Sequence, residues 1–154
     1  MQKKTNSNCP SDWLFVAGEE LDAIRNLVSA RIAFHMCRSK LAEVLEKTLK
    51  AELIRLGWFL QKTHDLQKLA DDLLARKSSL LAGRDGLVET LAESYFAGRY
   101  PGFDLDDPDW PGLEQDVREV ATLMNAVTLN VVGIDKSTKG GNVRKSSRTP
   151  KLRK

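Results

Sequence analysis

Five polar side chains in three separated stretches have the types and spacing to hold a phosphate-bearing ligand. Lys47 and Lys50 stand three residues apart, so on a helix they share a face and can grip a phosphate as point charges, with Lys40 and Lys62 available nearby. His64, between Thr63 and Asp65, sits at what reads as a helix start, where unpaired backbone N–H groups and the dipole favour an anion. Arg99 and Tyr100 pair a guanidinium fork suited to phosphate with a ring able to stack on a base. Each stretch also has a structural reading. Glu43 and Glu46 can pair with Lys47 and Lys50 at i+4, giving a solvated helix surface. Thr63 can cap the helix and Asp65 serve its dipole while His64 bonds a neighbouring element, and Asp65 opposes an anion there. Arg99 can fasten an acidic loop through Asp104 or Asp106, leaving Tyr100 half-buried.

Other chemistries fit poorly. Asp104, Asp106, Asp107 and Asp109 suggest a cation loop, but counted as an EF-hand the glycine position is Asp109 and the twelfth is Gln115. No metal and no cofactor are expected. Cys9 and Cys37 lack the paired spacing of a zinc site and have no histidine at a telling distance, and a reducing, cytoplasmic setting is expected. No apolar run approaches the ~18 residues needed to span a bilayer, so no membrane partner is expected.

The net charge of +3 over 154 residues hides a division. From Asp135 onward eight Lys or Arg stand against one acid, a net +7, while residues 1–134 carry −4. The basic stretch has almost nothing apolar and no aromatic ring, so it reads as a solvated appendage able to attract nucleic acid weakly and without sequence preference.

The elements that must position these side chains are helical. Ser11 or Asp12 can cap a first helix whose Leu14, Ala17, Leu21, Ile24 and Val28 recur at three- and four-residue spacing. A second carries Leu41, Leu45, Leu49, Leu53 and Leu56 and stops at Gly57. One unbroken helix from 18 to 57 would be about 58 Å long, too long for a domain of this size, which places a turn in Ser29–Phe34. Trp58, Phe59 and Leu60 are apolar loop residues that must cover something. Thr63 can cap a third helix with Leu66, Leu69, Leu73 and Leu74 inward. A fourth runs from about Leu87 through Leu91 and Tyr95 to Gly98, and the proline- and aspartate-rich stretch 99–112 is the longest loop. Pro111 suits the first turn of a fifth, with Leu113, Val117, Val120, Leu123, Met124 and Val127 inward and an end at Gly133, although a short strand over Val127–Ile134 is also conceivable. The expectation is an all-α, up-and-down bundle of four to five helices over 12–133, with a disordered lead over 1–11 and a disordered basic tail over 134–154.

Glu46-Lys47-Thr48-Leu49-Lys50-Ala51 followed by Gly57, then Lys62-Thr63-His64-Asp65-Leu66, then Tyr95-Phe96-Ala97-Gly98-Arg99-Tyr100-Pro101 resemble, in this order, three motifs of the HEPN domain family. The resemblance covers roughly residues 12–133. It implies a helical bundle, usually a homodimer, associated with nucleotide binding or with minimal nucleotidyltransferase partners, often in toxin–antitoxin or defence systems. Many members are metal-independent RNases using an Arg and a His separated by four to six residues. Here His35 would need an Arg at 28–30, occupied by Val28, Ser29 and Ala30, and His64 one at 57–59, occupied by Gly57, Trp58 and Phe59. The RNase role is therefore not carried over. The expectation is a non-catalytic nucleotide- or partner-binding protein using Lys47, Lys50, His64, Arg99 and Tyr100. The alternatives are a degenerate RNase using His64 and Arg99, or a structural dimerisation module.

Overall fold

The computed structural model describes residues 7–139, with 134–139 by their backbone alone; the lead over 1–6 and residues 140–154 of the expected tail lie outside the described residues. The helices are α1 (Pro10–Ser29), α2 (Phe34–Arg55), α3 (Leu66–Ala75), α4 (Asp85–Ala97) and α5 (Trp110–Lys139), and there is no strand among the described residues. The stretch Val127–Ile134 is helical, and α5 continues past Gly133, where the sequence suggested an end. No helix among the described residues is long and apolar enough to cross a membrane.

The apolar repeats become the core. Ala17, Leu21, Ile24 and Val28 of α1 meet Leu41, Leu45, Leu49 and Leu53 of α2, and all are buried. α2 is the central element, packing on each of the other four helices. Its burial therefore extends around the cylinder to Cys37, Val44, Thr48 and Ala51, positions that a single-stripe reading does not pick out. Leu113, Val117, Val120, Leu123, Met124 and Val127 of α5 are buried as the spacing predicts. Of the apolar residues expected inward or covering the core, Leu74 is 66% and Phe59 88% exposed, while Trp58 covers the core.

Local chemistry sets the helix boundaries. The residue before α1 is Cys9, with Pro10 in the first turn, so neither Ser11 nor Asp12 is the cap; proline fits there because its missing N–H would lack a helical partner anyway. Asp65, not Thr63, caps α3, its carboxylate accepting from Lys68 N–H at 3.1 Å, while Thr63 Oγ1 accepts from Asp65 N–H. α1, α2 and α3 each end in the same two-bond pattern. In α2, Gly57 N–H donates to Ile54 O and Trp58 N–H to Leu53 O, with Gly57 at φ +89°. The equivalent left-handed positions after α1 and α3 are held by Arg31 and Lys77.

One close approach decides what faces α2 at the end of α4. A Cβ on Gly98 would lie 2.3 Å from the carbonyl oxygen of His35, so glycine is required by space rather than by φ. Beside it Ser39 Oγ donates to Tyr95 O at 2.8 Å. These contacts seat Tyr95 and Arg99 against the α2 face that carries Glu43 and Glu46.

Candidate functional site

On that face Glu43, Glu46, Lys47 and Lys50 follow one another at helical spacing, and each finds a partner. Lys50 Nζ lies 2.7 Å from Glu46 Oε1, both residues are about 95% buried, and the ammonium sits 5.3 Å from the Trp13 ring centroid. This pair is the i+4 arrangement considered from the sequence. Lys47 departs from it, reaching across to Glu20 of α1 at 2.5 Å, with Lys40 Nζ 3.4 Å from the same oxygen. Glu43 instead joins Lys40 at 2.7 Å and Arg99.

His64 Nδ1 lies 3.2 and 3.1 Å from the two oxygens of Glu46. A carboxylate only accepts, so Nδ1 donates to it, and Nε2 makes no hydrogen bond among the described residues. The imidazole stacks on Tyr95 with centroids 5.3 Å apart, and its side chain stays 63% exposed. On Tyr95 the Arg99 guanidinium also rests, 4.5 Å from the ring centroid, with Nη1 donating to the phenol oxygen at 3.3 Å. The phenol is pushed up to about 12 by burial first, then by the charge of Glu46 and by Tyr100.

The three sequence stretches therefore meet at Glu46 and Tyr95. They line a cleft of about 360 Å³ whose walls are Trp13, Glu43, Glu46, Lys47, Lys50, Lys62, His64 and Tyr95. Arg99 and Tyr100 do not line it. Arg99 is turned to Glu43 and borders a neighbouring, largely apolar groove between α1 and α2, and Tyr100 is 57% exposed. Neither Asp104 nor Asp106 holds Arg99, because Glu43 lies closer across the tight crossing at Gly98. The sequence reading missed Trp13, Glu20 and Tyr95 as members of this region. Trp13 and Glu20 are seven residues apart and so share a face of α1, and Tyr95 is four before Arg99, the spacings that could have flagged them.

The cations have different duties. Lys50 is enclosed and fixes the Glu46 carboxylate, leaving little of its ammonium for a ligand. Lys47 is partly open, and Lys62 is exposed with no ion pair among the described residues. Among the described residues no group of three or more His, Cys, Asp or Glu is arranged to hold a metal ion. Cys37 is buried, its thiol pushed up by burial and donating to Ile32 O, which leaves it a poor nucleophile.

Compared with known proteins, residues 10–130 match the family model described as HEPN domain. No curated protein and no solved structure matches the chain.

Proposed function

The chain belongs to the HEPN domain family, a nucleotide-binding and RNase-type family, and on that premise we propose that it is a non-catalytic module binding a nucleotide, or a minimal nucleotidyltransferase partner, at the Lys62–His64 cleft. The observation that carries this reading is the meeting of cations with aromatic rings: Lys47, Lys62 and the free edge of His64 share a cleft with Trp13 and Tyr95. Phosphate oxygens suit the first set and a base the partly open Trp13 ring, while Tyr95, 2% exposed, backs the imidazole. Glu46, held between Lys50 and His64, fixes the imidazole rather than facing the ligand as an open charge. A homodimer acting in a toxin–antitoxin or defence setting is the assembly that family membership suggests.

The test is calorimetric titration of ATP into wild type, Lys62→Ala and His64→Ala, with circular dichroism to establish that the helices are retained. A loss of affinity of about tenfold or more in either variant is expected. Wild type that takes up no ATP, or variants that bind it equally well, would remove the cleft from the proposal.

One observation favours a second reading. A histidine oriented by a buried carboxylate, with its other nitrogen free, is also what general acid–base cleavage of a phosphodiester requires. Arg99, the expected phosphate-stabilising partner, is paired with Glu43 beyond Tyr95, which weighs against this alternative. Labelled RNA that is cut by wild type and left intact by His64→Ala would make the protein an enzyme.

A further inference from the structure

A larger cleft, of about 490 Å³, lies where α2 and α3 end, α4 begins and α5 passes, and it shares no lining residue with the His64 cleft. Arg55, Arg76, Lys77 and Arg84 all contribute to it, although residues 1–134 carry net negative charge. Among the described residues the only carboxylate in its lining is Glu52, which is 2% exposed and already engaged. Glu52 accepts from Arg55 Nε at 2.9 Å and Nη2 at 2.5 Å, and from Asn130 Nδ2 at 3.3 Å. This fixes the Arg55 guanidinium at the cleft wall with its remaining N–H groups unassigned among the described residues, a preorganised fork rather than a waving surface chain.

The other cations come from the turn after α3 and the start of α4. Arg76 donates to the Asp72 carbonyl at 3.3 Å, and Lys77 makes no side-chain hydrogen bond or ion pair among the described residues. Arg84 stands 3.9 Å from Glu119, outside the cleft lining. Cations at helix ends commonly serve only the negative pole of the dipole. In α3, however, the Leu73 and Leu74 carbonyls already accept N–H groups from Lys77 and Ser78, so the helix end has its own closure. Ser78 and Ser79 add hydroxyl donors, while the Thr122 hydroxyl is taken by the Arg118 carbonyl. No aromatic ring among the described residues lines the cleft, so none of them stacks a base there.

We propose that this cleft is a second anion site, one that takes a condensed phosphate, two or three linked phosphoryl groups, and does not read a base. The outer Nη1/Nη2 edge of Arg55, left over from its bonds to Glu52, engages one phosphoryl group, and Arg76, Lys77 and Arg84 neutralise the others. The volume suits a small ligand, since small-molecule sites are roughly 300–1,000 Å³.

Inorganic tripolyphosphate is the probe, titrated by calorimetry into the full chain, the doubly substituted Lys77→Gln/Arg84→Gln and, as a control, Lys62→Gln. Binding that weakens as salt is raised, falls about tenfold or more in the double variant and falls clearly less in Lys62→Gln is the expected result. Adenosine should produce no heat that depends on Lys77 and Arg84. Absent binding, equal binding by wild type and the double variant, or an effect of Lys62→Gln as large as that of the double variant would overturn the proposal. Equal binding would assign the anion to the His64 cleft or the basic tail, and the Lys62→Gln effect to the His64 cleft. The double variant changes only side chains that are exposed or partly so, and its urea midpoint should stay close to that of wild type.

Discussion

Glu46→Leu should destabilise the protein by about 3–5 kcal/mol, because it strands the buried Lys50 ammonium. At 2.7 Å the gross attraction between the two charges is about 6 kcal/mol for an effective dielectric of ~20. Taking each ion out of water costs several kcal/mol, so the intact pair contributes little net stability. Removing the carboxylate deletes the attraction and leaves the penalty on Lys50. The Trp13 ring at 5.3 Å can return only about 0.5–2 kcal/mol of it. The same arithmetic makes the companion variant informative. In Glu46→Leu/Lys50→Met both charges are gone and apolar side chains replace them, so its stability should lie within about 1–2 kcal/mol of wild type. Urea denaturation followed by circular dichroism reads both, with an unchanged slope showing that the midpoint reports stability. A single variant losing less than about 1 kcal/mol, or a double variant as unstable as the single, would mean that Lys50 is solvated and that the pair does not organise His64.

Two further outcomes follow from neighbouring groups. The Tyr95 phenol, at about 12 in the folded protein, holds its proton more tightly than the ordinary phenol near ~10 of the unfolded chain. Its contribution is fully present below about pH 10 and is lost as pH rises through about 12, a change of roughly 2–3 kcal/mol. Tyr95→Phe should flatten the alkaline limb of a plot of urea midpoint against pH, and an unaltered limb would show that another group drives it. Gly98→Ala should cost about 1–3 kcal/mol, since the added Cβ meets the His35 backbone, which cannot rotate aside. A thermal midpoint equal to that of wild type would mean that the helices part freely at this crossing.

Helix number, order and most inward faces were legible in the sequence because periodicity is local. The apolar residues of α1 and α5 repeat at three- and four-residue spacing over several turns, and Gly57 marks the end of α2 through its own φ. Failures occur where a residue's fate depends on what lies beside it. Leu74 continues the pattern of Leu66, Leu69 and Leu73 yet is 66% exposed, because α3 packs chiefly on α2 and α4 and its remaining side is left open among the described residues. Phe59 and Trp58 are adjacent loop residues of similar hydrophobicity, and the chain direction after Gly57 buries one of them and exposes the other.

The charges show the same limit more sharply. From the sequence, Lys47, Lys50, His64 and Arg99 were identifiable as cationic or titratable groups able to bind phosphate, and local spacing offered Glu43 to Lys47 and Glu46 to Lys50. Only the Glu46–Lys50 pair formed, because both members are enclosed by Trp13, Tyr95 and their own helix. Lys47 took Glu20, 27 residues earlier on α1, and Glu43 took Arg99 from the turn just after α4. Side-chain type and helical phase are properties of the chain itself and can be read along it. Which carboxylate neutralises which cation, and so which cations stay open to a ligand, depends on distances of a few ångströms across helix contacts, and those are fixed only when the bundle packs.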